Sequence, residues 1–201
     1  MQFKLVHQNN SSLANSWQTH FTNQPNVEII NNDICQENCD AIVSPANSFG
    51  FMDGGLDLAL SERFGWGLET KVQKAIRNRP LKELLIGEAL TIPTEDPQTL
   101  WLIVAPTMRV PMKLRQSINA YLAMKAILIA AKTHTQKPAI QVVAIPGLGT
   151  GVGGLAPEIA ALQMWQAFKE VELDDYSFPT GFSATQRSHI LLNPEEIKIW
   201  D

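Results

Sequence analysis

At 201 residues the chain is long enough to bury a sizeable core as one domain, and 45% apolar against 18% charged residues is not the composition of a disordered segment. A formal net charge of −4 argues against a broad nucleic-acid surface, because that affinity comes mainly from counterions released by Lys and Arg. No apolar run approaches the ~20 residues of a membrane span, and Met1 to Val6 lacks a signal peptide's apolar core, so no membrane partner and a cytoplasmic location are expected.

Phe3 to His7 reads as a strand, after which Ser11 or Ser12 is placed to cap a helix running to about Phe21. Val27 to Ile30 is a second strand that spills into Asn31-Asn32-Asp33-Ile34, where Asp33 suits an Asx turn. Asp40-Ala41-Ile42-Val43 starts a third strand, which runs into Ser44-Pro45-Ala46-Asn47. A glycine loop with Gly54 and Gly55 follows, with Asp57 in the first turn of the helix behind it. An amphipathic helix spans about Leu68 to Asn78. Glu88 to Pro93 and Leu100 to Ala105 form paired strands. Lys113 to about Thr133 reads as a long helix burying Leu114, Ile118, Tyr121, Leu122 and Leu128. Beyond the central strand and its loop, a helix opened by Pro157-Glu158 places Ile159, Leu162, Trp165 and Phe168 on one stripe, as core. The remainder, from about residue 172 to 201, is a less periodic extension in which Ser188 to Leu192 reads as an edge strand.

Strands alternating with helices give an α/β fold with helices on both faces of a sheet, and ligands in such folds bind beyond the carboxyl ends of the strands. The stretch Ala139 to Leu155 is the centre of this pattern. A β-branched run closes at Pro146, and five glycines occupy the eight positions from Gly147 to Gly154. Residues without a Cβ let an anion approach backbone N–H groups, and the helix start behind them adds unpaired donors, which is the chemistry of phosphate capture. A P-loop needs Gly-Lys-Ser/Thr at its end, but Gly154 is followed by Leu155, which argues against NTP hydrolysis. Gly151-x-Gly153-x-x-Ala156 meets the loose dinucleotide fingerprint but lies late in the chain, without a recognisable hydride-transfer site. Cys35 and Cys39 supply half of the four ligands that zinc wants, and His7, His20, His134 and His189 are scattered, so no metal is expected.

Taken together, Asn32-Asp33-Ile34, Asp40 to Asn47, Gly54-Gly55-Leu56-Asp57 and Pro146 to Gly153 resemble a macrodomain in order and spacing over about residues 27 to 170. The resemblance implies a three-layer α/β/α sandwich with a central mixed, mostly parallel sheet, binding ADP-ribose or an ADP-ribosylated substrate without a cofactor. It implies that Asp33 accepts from the adenine amino group with Ile34 beside the ring. Gly54, Gly55 and the bend Gly147, Gly149, Thr150, Gly151, Val152 and Gly153 would embrace the diphosphate, and Asn47 would bond the distal ribose. Asp57 matches the residue that orients or activates water in the hydrolytic branch, although an acid in a first helical turn has a dipole reason of its own.

Several residues depart from the family pattern. Gly153 replaces a common aromatic, which would leave that side of the ribose pocket open unless Phe49, Phe51 or Met52 fills it, and Ser44-Pro45 replaces a commoner Asn-Ala pair. Phe168, Tyr176 and Phe178 are candidates to stack on adenine. The leading function is hydrolysis of ADP-ribosyl linkages, with Asn47 and Asp57 at the reacting end. A non-catalytic ADP-ribose reader and an ADP-ribose 1″-phosphate phosphatase remain alternatives.

Overall fold

The computed structural model describes residues 1–194. Six strands form one sheet: β1 (Gln2–His7), β2 (Val27–Asn31), β3 (Ala41–Ser44), β4 (Leu90–Pro93), β5 (Trp101–Val104) and β6 (Val142–Pro146). Their order is β2-β1-β6-β3-β5-β4, and every pairing is parallel except that of β4 with β5. The helices are α1 (Ser11–Phe21), α2 (Gly55–Phe64), α3 (Gly67–Arg77), α4 (Asn119–Lys132), α5 (Pro157–Glu172) and α6 (Phe182–Leu191).

Alternation along the strands divides the core into two layers. Phe3, Leu5, Val43, Ile103, Val143 and Ile145 face α1, α4 and α5. Val6, Ile42, Leu102, Val104 and Ala144 face α2 and α3 from the other side. Because the central strands are covered on both faces, they are mostly apolar, and the result is a three-layer α/β/α sandwich.

Five expectations need correction. Asn10, not Ser11 or Ser12, caps α1, its Oδ1 accepting from the Leu13 N–H at 3.0 Å. The helix expected from Lys113 begins only at Asn119, because Leu114 spends its N–H on the Gly153 carbonyl, at 2.8 Å. Leu128 is buried as expected, but Ile118, Tyr121 and Leu122 are only half-buried. The inward face instead carries Ala120, Ala123, Met124 and Ile127, and its small residues let α4 lie close to α5.

On α5 the buried stripe runs through Ile159, Ala160, Gln163, Met164, Ala167 and Phe168, so Leu162 and Trp165 sit at its edge. This drift follows from 3.6 residues per turn, which a strict three-residue spacing does not match. Finally, Ser188 to Leu191 lies in α6 rather than in a strand, since a short apolar run does not distinguish the two by periodicity. Residues 195–201 of the expected extension lie outside the described residues. Among those described, no helix is long and apolar enough to cross a membrane.

Candidate functional site

A cleft of about 550 Å³ lies beyond the carboxyl ends of the parallel strands. It takes His7 from the end of β1, Asp33 from beyond β2, Pro45 and Ala46 from beyond β3, Thr107 from beyond β5 and Gly147 from beyond β6. Because β6 and β3 are neighbours, the bend that follows one and the loop that follows the other both line the same cleft. All twelve site residues expected from the sequence line it: Asp33, Ile34, Asn47, Gly54, Gly55, Asp57, Gly147, Gly149, Thr150, Gly151, Val152 and Gly153. No Lys or Arg does.

The two walls present backbone donors. A Cβ built on Gly54, Gly55 or Gly151 would meet nothing within 4 Å, so these positions leave the main chain open to the cleft. Gly54 caps α2 without a side-chain hydrogen bond, which leaves the first-turn N–H groups of that helix free to meet an anion. Gly55 has φ +57 and Gly149 φ +74, left-handed conformations that side chains disfavour. In the bend after β6, the N–H groups of Val152 and Gly153 find no acceptor among the described residues.

Asp57 is 9% exposed in the first turn of α2. Burial pushes its carboxyl up to about 6, opposed by the Ser44 hydroxyl, which donates to Oδ1 at 2.6 Å. Ser44, which reads in the sequence only as an unusual residue at a strand end, is thus the buried partner of this acid. Asn47 uses its side chain to shape its own loop: Oδ1 accepts from the N–H groups of Phe49 and Phe51 at 3.1 and 3.3 Å, and Nδ2 donates to the Phe51 carbonyl at 2.8 Å. One Nδ2 hydrogen remains to donate. Asp33 is the Asx turn that its position suggests, with Oδ1 accepting from the Cys35 N–H at 2.9 Å while Oδ2 makes no described bond.

The aromatic expectations divide. Phe51 lines the cleft at 55% exposure, whereas Met52 is buried against α2 and α3, and Phe49 lies beneath the Arg109 guanidinium. Gly153 does not leave an empty socket, because Leu114 fills it, 2.8 Å from where a Cβ would be. Phe168 packs edge-on against Phe3 and Phe21 with no exposed surface, and neither Tyr176 nor Phe178 lines the cleft. The lining also includes His7, Gln8, Asn10, Met108 and Pro111, which no sequence pattern marks. His7 Nδ1 is buried there without a hydrogen-bond partner among the described residues.

A family model described as "Macro domain" matches residues 43–164. This chain belongs to the macro domain family. The macrodomain fold is matched again among solved structures. The macrodomain of Mycobacterium tuberculosis DarG superposes with a TM-score of 0.57 at 25% identity, covering 70% of this chain and 88% of that one. A mutant Oceanobacillus iheyensis macrodomain with ADPR gives 0.59 at 19% identity, covering 84% and 90%. An uncharacterized Aquifex aeolicus protein is 31% identical over 146 residues, 73% of this macrodomain chain and 82% of its own length. The low identities agree with a divergent branch of the family.

Proposed function

We propose that the cleft binds ADP-ribose and hydrolyses the bond joining its distal ribose to a modified group. The observation that carries this reading is the pair of open glycine bends, Gly54-Gly55 and Gly151, lining one cleft that no Lys or Arg lines among the described residues, so that main-chain amides neutralise the diphosphate. The Oceanobacillus iheyensis structure with ADPR, similar in fold, supports it. Asp33 Oδ2 accepts from the adenine amino group with Ile34 beside the ring, and the remaining Asn47 N–H donates to the distal ribose.

With the diphosphate held, the anomeric carbon is positioned for attack. Asp57 takes a proton from water as the water oxygen bonds that carbon. The bond to the leaving group breaks, and the proton passes on to the departing atom. No electrons change hands, so the reaction as written needs no redox cofactor. A carboxyl near 6 is largely ionised at neutral pH yet basic enough to assist.

Calorimetry tests the ligand: ADP-ribose should bind at micromolar concentration with AMP much weaker, and equal affinities would leave the distal ribose unrecognised. Release of ADP-ribose from an ADP-ribosyl ester tests the reaction. A second reading, a reader that binds without turnover, is favoured by the commitment of Asn47 to its own loop. Absence of release alongside tight binding would select it.

A further inference from the structure

The glycines of the bend after β6 are not all turned toward the cleft. A Cβ on Gly153 would lie 2.8 and 3.0 Å from Leu114 side-chain carbons, and one on Gly149 would lie 3.2 Å from Leu114 Cδ1. A Cβ on Gly154 would fall 3.4 Å from Lys113 Nζ. Three bare positions thus form the bed on which Lys113 and Leu114 lie, and of the five glycines in this bend only Gly151 has open space around it.

Each carbonyl that matters in the bend is held. The Gly151 carbonyl accepts from the Gly154 N–H at 3.0 Å and the Gly153 carbonyl from the Leu114 N–H at 2.8 Å. The Val152 carbonyl accepts from Lys113 Nζ at 3.0 Å. In a trans peptide, C=O and N–H point in opposite directions. Holding the Gly151 and Val152 carbonyls from behind therefore turns the Val152 and Gly153 N–H groups the other way, and neither has an acceptor among the described residues.

The same segment is anchored at its other end beside Asn47, which bridges to Met108, while the Ser48 N–H donates to the Arg109 carbonyl at 3.1 Å. Arg109 is fixed in turn by Glu83, at 2.7 Å. Residues 107–114 thus tie the Asn47 loop to the bend, and Lys113 is the cation at the junction.

We propose that Lys113 is a positioning residue for anion binding: its ammonium, seated on the Val152 carbonyl, fixes and polarises the Val152–Gly153 peptide so that its N–H is presented to the diphosphate. The proposal rests on the ADP-ribose reading for the identity of the anion. It supplies positive charge to a cleft that no Lys or Arg lines among the described residues, through the peptide rather than by contact, and a hydrogen bond from an ionised donor is the stronger kind.

The test compares wild type with Lys113→Ala and Lys113→Arg in two arms. Without ligand, Lys113→Ala should move the amide proton resonance of Gly153 and speed its hydrogen exchange, with Lys113→Arg staying near wild type. An unmoved Gly153 amide would overturn the proposal. With ligand, Lys113→Ala should weaken ADP-ribose about threefold to tenfold, the value of one such bond, while leaving adenosine, which has no phosphate, unchanged. Equal loss for adenosine, or no loss for ADP-ribose, would overturn it. Wild-type protein that binds no ADP-ribose would sink the functional reading instead, and the ligand-free arm would still judge Lys113.

Discussion

Replacing Asp57 with Asn separates the cost of a buried acid from its use. The change keeps the shape and the Ser44 hydrogen bond but removes the charge. Because burial raises the carboxyl from 3.8 to about 6, its ionised form weighs against folding by about 3 kcal/mol at neutral pH, at roughly 1.4 kcal/mol per pH unit. The sign follows from the raised value. The protonated acid costs nothing below about pH 4, where folded and unfolded chains both hold the proton, and the penalty grows as pH rises through about 6. Asp57→Asn should therefore raise the Tm by several degrees at about pH 8 and leave it nearly unchanged at about pH 4.

Turnover should move the other way. If the carboxylate is the base, the wild-type rate climbs about ninefold from roughly pH 5 to pH 7 as the ionised fraction grows from about a tenth to nine-tenths. Asp57→Asn should lose at least about tenfold in turnover, ~1.4 kcal/mol of transition-state stabilisation, with ADP-ribose affinity nearly intact. Thermal scans at the two pH values and release of ADP-ribose from an ester across the range provide the readouts. A flat wild-type profile together with an unchanged variant rate would remove Asp57 from the mechanism. A variant no more stable than wild type at about pH 8 would refute the argument from burial.

Ser44→Ala removes a hydrogen bond that favours the Asp57 carboxylate, so the midpoint of the turnover profile should shift to higher pH; a shift to lower pH would contradict that geometry. Gly151→Glu should abolish ADP-ribose binding through bulk and charge while keeping the fold, because nothing lies within 4 Å of its Cβ, and retained affinity in calorimetry would remove this wall from the site. Gly153→Ala should instead cost stability, about 1–3 kcal/mol, because its Cβ would sit 2.5 Å from the Gly149 carbonyl oxygen and 2.8 Å from Leu114 Cδ1. Denaturant unfolding measures this, and an unchanged midpoint would refute the close contact.

Short β-branched runs such as Ala41 to Val43 and Val142 to Ile145 announce buried parallel strands by themselves, because only a strand covered on both faces is apolar at every position. Glycine clusters after two of those strands likewise mark anion chemistry locally. The sequence is less informative wherever a residue answers to something distant. Leu114 leaves the helical pattern around it to dock on Gly153, about forty residues away in the chain. His7 joins the lining only because β1 lies beside β6, and strand order is not written in any one strand.

The residue types at the strand ends, and with them the fold and the two glycine bends, were determined by the sequence alone, since backbone conformation and apolar periodicity are local properties. The direction each glycine faces was decided only by tertiary packing: toward open cleft at Gly54, Gly55 and Gly151, toward Lys113 and Leu114 at Gly149, Gly153 and Gly154. The same holds for Asp57, whose pKa is raised by the protein that buries it against the opposing hydrogen bond from Ser44, and neither its desolvation nor its partner is a property of neighbouring residues in the chain.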